Sequence, residues 1–468
     1  MLTSLRIQNF KAWKESGDIR LAPLTVIFGA NSAGKSSLGH LLQALKQTVQ
    51  SVDRKQSLQL GDENSLTDLG TFAECIHGHD LGQPLRFSLG WQAVPRLELR
   101  DPLSQRKYMG NRLQLDVSLL ADQQAQPQVE HLGYRLGSPQ APELAFDYAR
   151  DEQGLWQLQA RNYQLVRSRG RSWPLEAPDK FYRISDQSRA HFQNADVLND
   201  LALQLEGTLS RLYFLGPLRE YPRRVWSWSG DTPESVGHKG ERAIHAILAA
   251  RAQGRLISRG PRKRQLPFDE FIARWLQDLG IIHSFRLRPL AEGRKEYEVL
   301  VRTHAGASEV RITDVGFGVS QLLPALVQAF YCPPDSTVWL EQPEIHLHPQ
   351  VQAELADVFI SAIQARENGR PRNAQLIVES HSEHFLNRLQ RRIAEGALQA
   401  QEVAVYFCRK AGAATELEPL RLNEYGEIEN WPDNFFGDEM ADIAGRTMAV
   451  VRRMQARHKE SAHDQGGD

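Results

Sequence analysis

Apolar and polar positions along the chain follow three different rhythms. Residues 2–9 alternate, with Leu5 and Ile7 on one face, and predict a first strand. Residues 24–28, Leu-Thr-Val-Ile-Phe, form a short, nearly unbroken apolar run. Such a run predicts a strand buried on both faces, as in a parallel sheet. Residues 38–50 change to helical spacing. From 85 to 185 the alternation returns in short segments, "LRFSLGW", "RLELR", "LQLDVSLL", "HLGYRL", "LAFDYAR", "LWQLQA", "YQLVRS" and "FYRIS". Polar and glycine-bearing turns divide them, which predicts an antiparallel meander. No heptads are sustained there, so a long coiled-coil arm is not expected. Residues 190–212 read as helix, and 214–243 lack any period and read as a specialised loop. An amphipathic helix over 268–279 and strands over 285–288 and 297–303 come next. Two further apolar runs, one from 336 to 344 ending in acid and one from 375 to 384 ending in Ser-His-Ser, precede strands over 403–408 and 417–422 that close the pattern.

The chemistry begins where the second strand stops. Phe28-Gly29-Ala30-Asn31-Ser32-Ala33-Gly34-Lys35-Ser36-Ser37 fits G-x-x-x-x-G-K-[ST] at every fixed position, between a predicted strand and a predicted helix. The glycines let main-chain N–H groups and the helix N-terminus close around an anion. Asn31, Ser32, Ala33, Gly34, Lys35, Ser36 and Ser37 are therefore the expected phosphate cradle. Lys35 is expected to reach the β- and γ-phosphates, and the Ser36 hydroxyl to bind Mg²⁺.

Later motifs are ordered consistently with this loop. Asp314-Val315-Gly316-Phe317-Gly318-Val319-Ser320-Gln321 is a glycine-rich turn leading into an apolar helix. Ser336-Thr337-Val338-Trp339-Leu340-Glu341-Gln342-Pro343-Glu344 is a strand ending in acid, the Walker B form. Ile345-His346-Leu347-His348-Pro349 follows it, and a further strand from Gln375 ends in Ser380-His381-Ser382. Together with the opening "LRIQNFKAWKE…IRLAPLTVIFGANSAGKSS", these motifs resemble ABC-type ATPases. The group is that of the structural-maintenance-of-chromosomes heads and the overcoming-lysogenization-defect proteins, and the resemblance covers roughly residues 1–80 and 305–436.

The resemblance implies an α/β fold, an ABC-type P-loop ATPase head with a mixed sheet and helices, interrupted by a largely antiparallel β insertion and a helical segment. The implied divisions are 1–80 and 305–422 for the head, 81–304 for the insertion and 423–468 for a small extension. Two heads would sandwich ATP with Mg²⁺, each P-loop facing the partner's Gly318, Ser320 and Gln321. Glu341 would take the metal side together with Ser36, and His381 would contact the γ-phosphate. Gln342 stands where most relatives carry the glutamate that polarises water. A glutamine orients water but cannot accept a proton, so Glu344, Glu379 or Glu383 competes for that task. Lys11 or Trp13 would lie near the base, against a reading as surface lysine and packed tryptophan. Gln43, Gln59 and Asp68 compete for a contact to metal and water. His346 and His348 read better as a dimer-contact loop than as a metal pair. Trp431, Pro432, Phe435 and Phe436 suggest an aromatic plug. The span after His381 is too short for a Toprim nuclease domain.

Charge is balanced, 56 basic against 57 acidic residues, so any nucleic-acid contact has to be local. Arg251, Arg255, Arg259, Arg262, Lys263 and Arg264, with no acid among them, form the candidate patch. Arg219, Arg223 and Arg224 either reach a phosphate or pair with Glu220 and Glu234. Cys75, Cys332 and Cys408 have no metal spacing and suggest a reducing compartment. With no apolar run of membrane length and no leader-like N-terminus, a soluble cytoplasmic protein is expected. The resemblance favours an ATP-gated regulator, a homodimer or higher even oligomer, acting on a separate effector such as a nuclease in anti-phage defence. A DNA repair or chromosome-handling ATPase is the alternative, and a transporter ATPase is disfavoured.

Overall fold

The computed structural model describes residues 1–138, 140–170, 173–412, 414–432, 435, 448–450 and 453. Residues 1–429 form one compact unit and 430–468 a second. In the second unit the Trp431 and Phe435 rings pack edge to face, 5.3 Å apart. Phe436 lies outside the described residues.

The fold is mixed α/β. Its functional layer is a six-stranded sheet in the order Leu212–Leu215, Thr337–Glu341, Gln375–Glu379, Leu24–Gly29, Val403–Ala411, Ala414–Leu420. The first five strands run parallel and the last returns antiparallel. Leu24–Gly29, Thr337–Glu341 and Gln375–Glu379 are buried throughout. That is why they read as apolar runs rather than alternations. Parallel register brings Leu215, Glu341, Glu379, Gly29 and Cys408 to one edge, the carboxyl edge. Open α/β sheets bind their ligands at this edge.

A second, eight-stranded antiparallel sheet holds the meander: Leu85–Arg100, Lys107–Ala121, Pro127–Gly137, Pro142–Arg150 and Trp156–Arg161. The strand Leu2–Phe10 pairs with Leu85–Arg100, so the chain's opening belongs to this sheet. The helices Lys35–Gln50 and Val197–Ser210 pack on each other, and both contribute to one core with the antiparallel sheet. Trp339, Ile377 and Ala404 of the parallel sheet join the same core. Helices Phe317–Tyr331 and Pro349–Gln364 also pack on the parallel sheet, and Glu383–Ala394 packs on Pro349–Gln364.

Three expectations shift. Residues 163–168 and 181–185 form no strand beyond single bridges at Arg167 and Arg183. Phe181, Tyr182 and Ile184 are nonetheless buried, and the Phe181 N–H donates to the Ser57 carbonyl at 2.9 Å. Their alternation reports burial, not ladder pairing. The helix expected over 190–212 spans Val197–Ser210, and Leu212–Leu215 becomes the edge strand beside Thr337–Glu341. Lys46 ties these pieces together, its ammonium donating to the carbonyls of Ser210 at 3.2 Å and Leu212 at 2.7 Å.

Candidate functional site

At the carboxyl edge the P-loop leaves the strand Leu24–Gly29 and enters the helix Lys35–Gln50. Two glycines make the turn possible. Gly29 has φ 145°, and a Cβ there would sit 2.2 Å from the Cys408 carbonyl oxygen. Gly34 has φ 86° and lies against Thr415 and Ala12. Both conformations favour glycine. The Trp13 indole N–H donates to the Gly34 carbonyl at 3.2 Å, and the ring is fully buried. Of the two readings of Trp13, packing under the loop is the one this geometry supports. Lys11 is partly exposed, with its N–H on the Cys75 carbonyl at 2.7 Å.

Asn31 and Ser32 are exposed on the loop, Ala33 and Ser37 buried, and the Ser37 hydroxyl donates to the Gly34 carbonyl at 2.6 Å. The Lys35 ammonium donates to the carbonyls of Gly29 at 2.8 Å and Ala30 at 2.9 Å. Burial lowers its pKa, offset by the carboxylates of Glu379 and Glu344 and by Cys408. A cation poised against its own loop has only to swing outward to meet a phosphate.

The Ser36 hydroxyl donates to Glu379 Oε2 at 2.8 Å, and the Trp339 indole N–H to Glu379 Oε1 at 2.8 Å. Ser36 also acts on Glu341. Glu341 and Glu379 are register partners at the ends of neighbouring parallel strands. Burial, then the charge of Glu379, raises the pKa of Glu341. Burial raises Glu379 too, against the Ser36 and Trp339 hydrogen bonds. Two adjacent buried carboxyls and a hydroxyl are hard oxygen donors, the set that suits Mg²⁺. The described residues contain no group of three or more His, Cys, Asp and Glu arranged for a metal ion. Mg²⁺ on a nucleotide needs no such cage, because phosphate oxygens and water complete its shell.

Around this pair lie buried polar atoms without partners among the described residues. Glu344 Oε1 accepts the His381 N–H at 2.7 Å, while Glu344 Oε2 and His381 Nε2 have no partner. Burial raises the Glu344 pKa, and burial followed by Lys35 pushes His381 down to about 4, so the imidazole is neutral. Arg219 Nε and Nη1 are idle as well, while Nη2 donates to the Glu341 carbonyl at 3.1 Å. Such atoms are rare in protein interiors, and several at one edge mark a place built for a polar ligand. Gln342 has φ 45° and its N–H donates to the Glu379 carbonyl at 2.9 Å, which fixes it at the strand end.

The other expected residues lie farther out. Gly316 caps the helix Phe317–Tyr331, and Gly318 rests against Leu347 and the His346 carbonyl. Ser320 and Gln321 are buried in that helix. His346 is exposed at φ 61°, and the His348 Nδ1 caps the helix Pro349–Gln364 by accepting the Gln350 N–H at 3.3 Å. Gln43 is buried with Nε2 idle, and with Gln59 and Asp68 it lines a cleft of about 980 Å³ beside the P-loop helix. Glu383 opens the helix Glu383–Ala394.

The basic patch is partly spent. Arg255 pairs with Glu367 at 2.7 Å, Arg259 with Asp278 at 2.6 Å over the Trp275 ring, and Arg251 faces Asp269 at 3.6 Å. Arg262, Lys263 and Arg264 are exposed. Arg223 pairs with Glu220, and Arg224 with Asp314 at 3.4 Å. Glu379 as the partner of Ser36, and Arg219 as the buried member of its trio, emerge only from the strand register.

Residues 156–387 match the family described as "AAA domain, putative AbiEii toxin, Type IV TA system". Residues 398–444 match "Protein of unknown function (DUF3696)". No curated protein matches. Solved structures similar to the chain include an SmcHead bound to the C-winged helix domain of ScpA, at 12% identity and TM-score 0.41, covering 90% of this chain and 98% of that one. The SMC head domain from Thermotoga maritima is similar at 11% identity and TM-score 0.38, covering 90% and 99%. An Smc head domain with an extended coiled coil, bound to the C-terminal domain of ScpA derived from Pyrococcus furiosus, is similar at 10% identity and TM-score 0.38, covering 97% and 99%. The first match, over just under half of the chain, is to an AAA-type domain and supports an ATPase. It contains Glu341, Gln342, Glu344, Glu379 and His381 and begins after the P-loop. No described helix is long and apolar enough to cross a membrane.

Proposed function

We propose that this ATPase is an ABC-type switch: it binds and hydrolyses ATP with Mg²⁺, dimerises around it, and regulates a separate effector in anti-phage defence. One observation carries the site reading: buried, partnerless polar atoms belong to Glu344 and His381, which are hydrogen-bonded to each other and feel the Lys35 charge, and to Arg219, which holds the Glu341 carbonyl. Lys35 takes the β- and γ-phosphates, and Asn31 to Ser37 wrap them with main-chain N–H groups. Ser36 and Glu341, with Glu379 behind them, hold Mg²⁺. Bound there, the ion would neutralise charge on the phosphate oxygens. His381, neutral at physiological pH, would offer Nε2 to the γ-phosphate. Gln342 orients the attacking water, and Glu344 holds the His381 main chain in place. Gly318, Ser320 and Gln321 of a second copy close the site.

The matched family's description names a "putative AbiEii toxin, Type IV TA system"; the effector part of the reading draws on the resemblance to ABC-type ATPases without a nuclease domain. Titration with a fluorescent ATP analogue tests the site: the wild type is expected to bind, and Lys35→Ala to lose binding. Unchanged affinity in Lys35→Ala would refute the assignment. The regulator reading has its own test. The purified chain with Mg²⁺ is expected not to cut DNA, and metal-dependent cutting abolished by a substitution in this chain would overturn it.

A further inference from the structure

We propose that Arg219 acts in ATP hydrolysis from within its own chain, pairing with Gln342 to stabilise the charge that builds on the phosphate oxygens. The proposal rests on the nucleotide-site reading above. Arg219 follows the edge strand Leu212–Leu215, whose parallel neighbour is Thr337–Glu341. It is 8% exposed, and Nη2 donates to the Glu341 carbonyl, in the peptide that leads into Gln342. Nε and Nη1 are buried and idle. Its sequence neighbours differ: Arg223 and Arg224 are exposed and paired with Glu220 and Asp314.

A purely structural arginine would direct its donors to protein acceptors, because a buried guanidinium with idle N–H groups is costly. Arg219 instead keeps part of its fork unspent, near enough to Glu344 for that carboxyl's charge to act on it, and Glu344 Oε2 is idle as well. Glu341 and Glu344 are the acids whose charges act on it. The planar fork suits phosphate oxygens, where a point charge does not match two of them at once.

Gln342 supplies the complementary half. It can orient water but cannot take its proton. Other P-loop hydrolases combine a water-orienting glutamine with an arginine, supplied in some of them by the same chain. In the step, the water oxygen bonds to the γ-phosphorus. The bond from γ-phosphorus to the β–γ bridging oxygen breaks, and its electron pair leaves with ADP. A water proton passes to a γ-phosphate oxygen, and inorganic phosphate departs. Arg219 stays protonated throughout, and its hydrogen bonds strengthen as charge moves onto the bridging and γ oxygens.

The full-length wild type, Arg219→Gln, Arg219→Lys and the control Arg223→Gln are compared in two equilibrium titrations with Mg²⁺, one with fluorescent ATP and one with ADP plus aluminium fluoride, a mimic of the phosphoryl group in flight. Single-turnover hydrolysis is measured alongside. Arg219→Gln is expected to keep ATP affinity within about threefold and lose affinity for the mimic at least about tenfold, with turnover slowed about 10³-fold. Arg219→Lys, lacking the fork, is expected to show the same selective loss, and it serves as the deciding variant if Arg219→Gln does not fold. Arg223→Gln is expected to match the wild type. Equal losses for ATP and the mimic would identify a structural role and overturn the proposal, as would wild-type affinity for the mimic in the deciding variant. A wild type that fails to bind ATP would instead bring down the site reading, and this proposal with it.

Discussion

Gln342 stands at a strand end with φ 45°, held by its N–H on the Glu379 carbonyl. On the site reading proposed above, a glutamine there would make hydrolysis slow and the ATP-bound state long-lived. Gln342→Glu is expected to install a base, which contributes about 10²-fold or more, and to shorten the lifetime of the ATP-bound dimer. Single-turnover hydrolysis checks this alongside Glu344→Gln, Glu379→Gln and Glu383→Gln. A fast wild type unmoved by Gln342→Glu would refute it and pass the task to whichever glutamate variant stops turnover. The identity of Gln342 was plain in the sequence. The crowding behind it was not: Glu379 lies 38 positions beyond Glu341, and only parallel register makes them neighbours.

At the scale of elements, the P-loop helix Lys35–Gln50 does more than start at a phosphate site. Its His40 faces the cleft shared with His238, Lys239 and Glu241. Burial, then the charges of Lys11 and His238, pushes His40 down to about 4. The unfolded chain therefore binds this proton first as pH falls. Stability tied to a neutral His40 is full above about 6.5 and is lost as pH drops toward 4. His40→Gln should flatten that slope, by about 2 kcal/mol between pH 7 and 5. Denaturant unfolding at the two pH values checks it, and an equal slope in both proteins would exclude His40 as its source. Burial of this kind was not visible in the spacing of residues 38–50, where His40 looks like any polar position. The buried strands around the helix were visible, because a strand covered on both faces needs an apolar run. The edge strand Leu212–Leu215 was hidden because its run of four joins directly onto a helical pattern.

On the scale of the whole molecule, one copy presents a P-loop at the carboxyl edge, and the glycine-rich start of Phe317–Tyr331 packs against the His346–Leu347 loop. If a second copy completes the site, mass action links ATP to assembly. Sedimentation with ATP and Mg²⁺ should show a dimer for the wild type and a monomer for Lys35→Ala. A monomeric wild type with ATP bound would sink the sandwich arrangement. The basic stretch 251–264 also changes meaning at this scale. Arg255 and Arg259 spend their charge on Glu367 and Asp278, acids that come from other parts of the chain.

The sequence by itself determined the phosphate loop, the order of the motifs and the burial of the strands that carry them. Each of these is local: a glycine pair, a lysine and a hydroxyl at set spacing, or an apolar run, carries its meaning without distant partners. Only the tertiary structure decided that Ser36 meets Glu379, that Trp13 packs under the loop, and that Arg219 rather than Arg223 or Arg224 is buried against the Glu341 carbonyl. It also decided that the opening strand joins the antiparallel sheet. Those outcomes depend on which strands lie side by side, and that choice is set by burial of the whole core rather than by any stretch of chain within it.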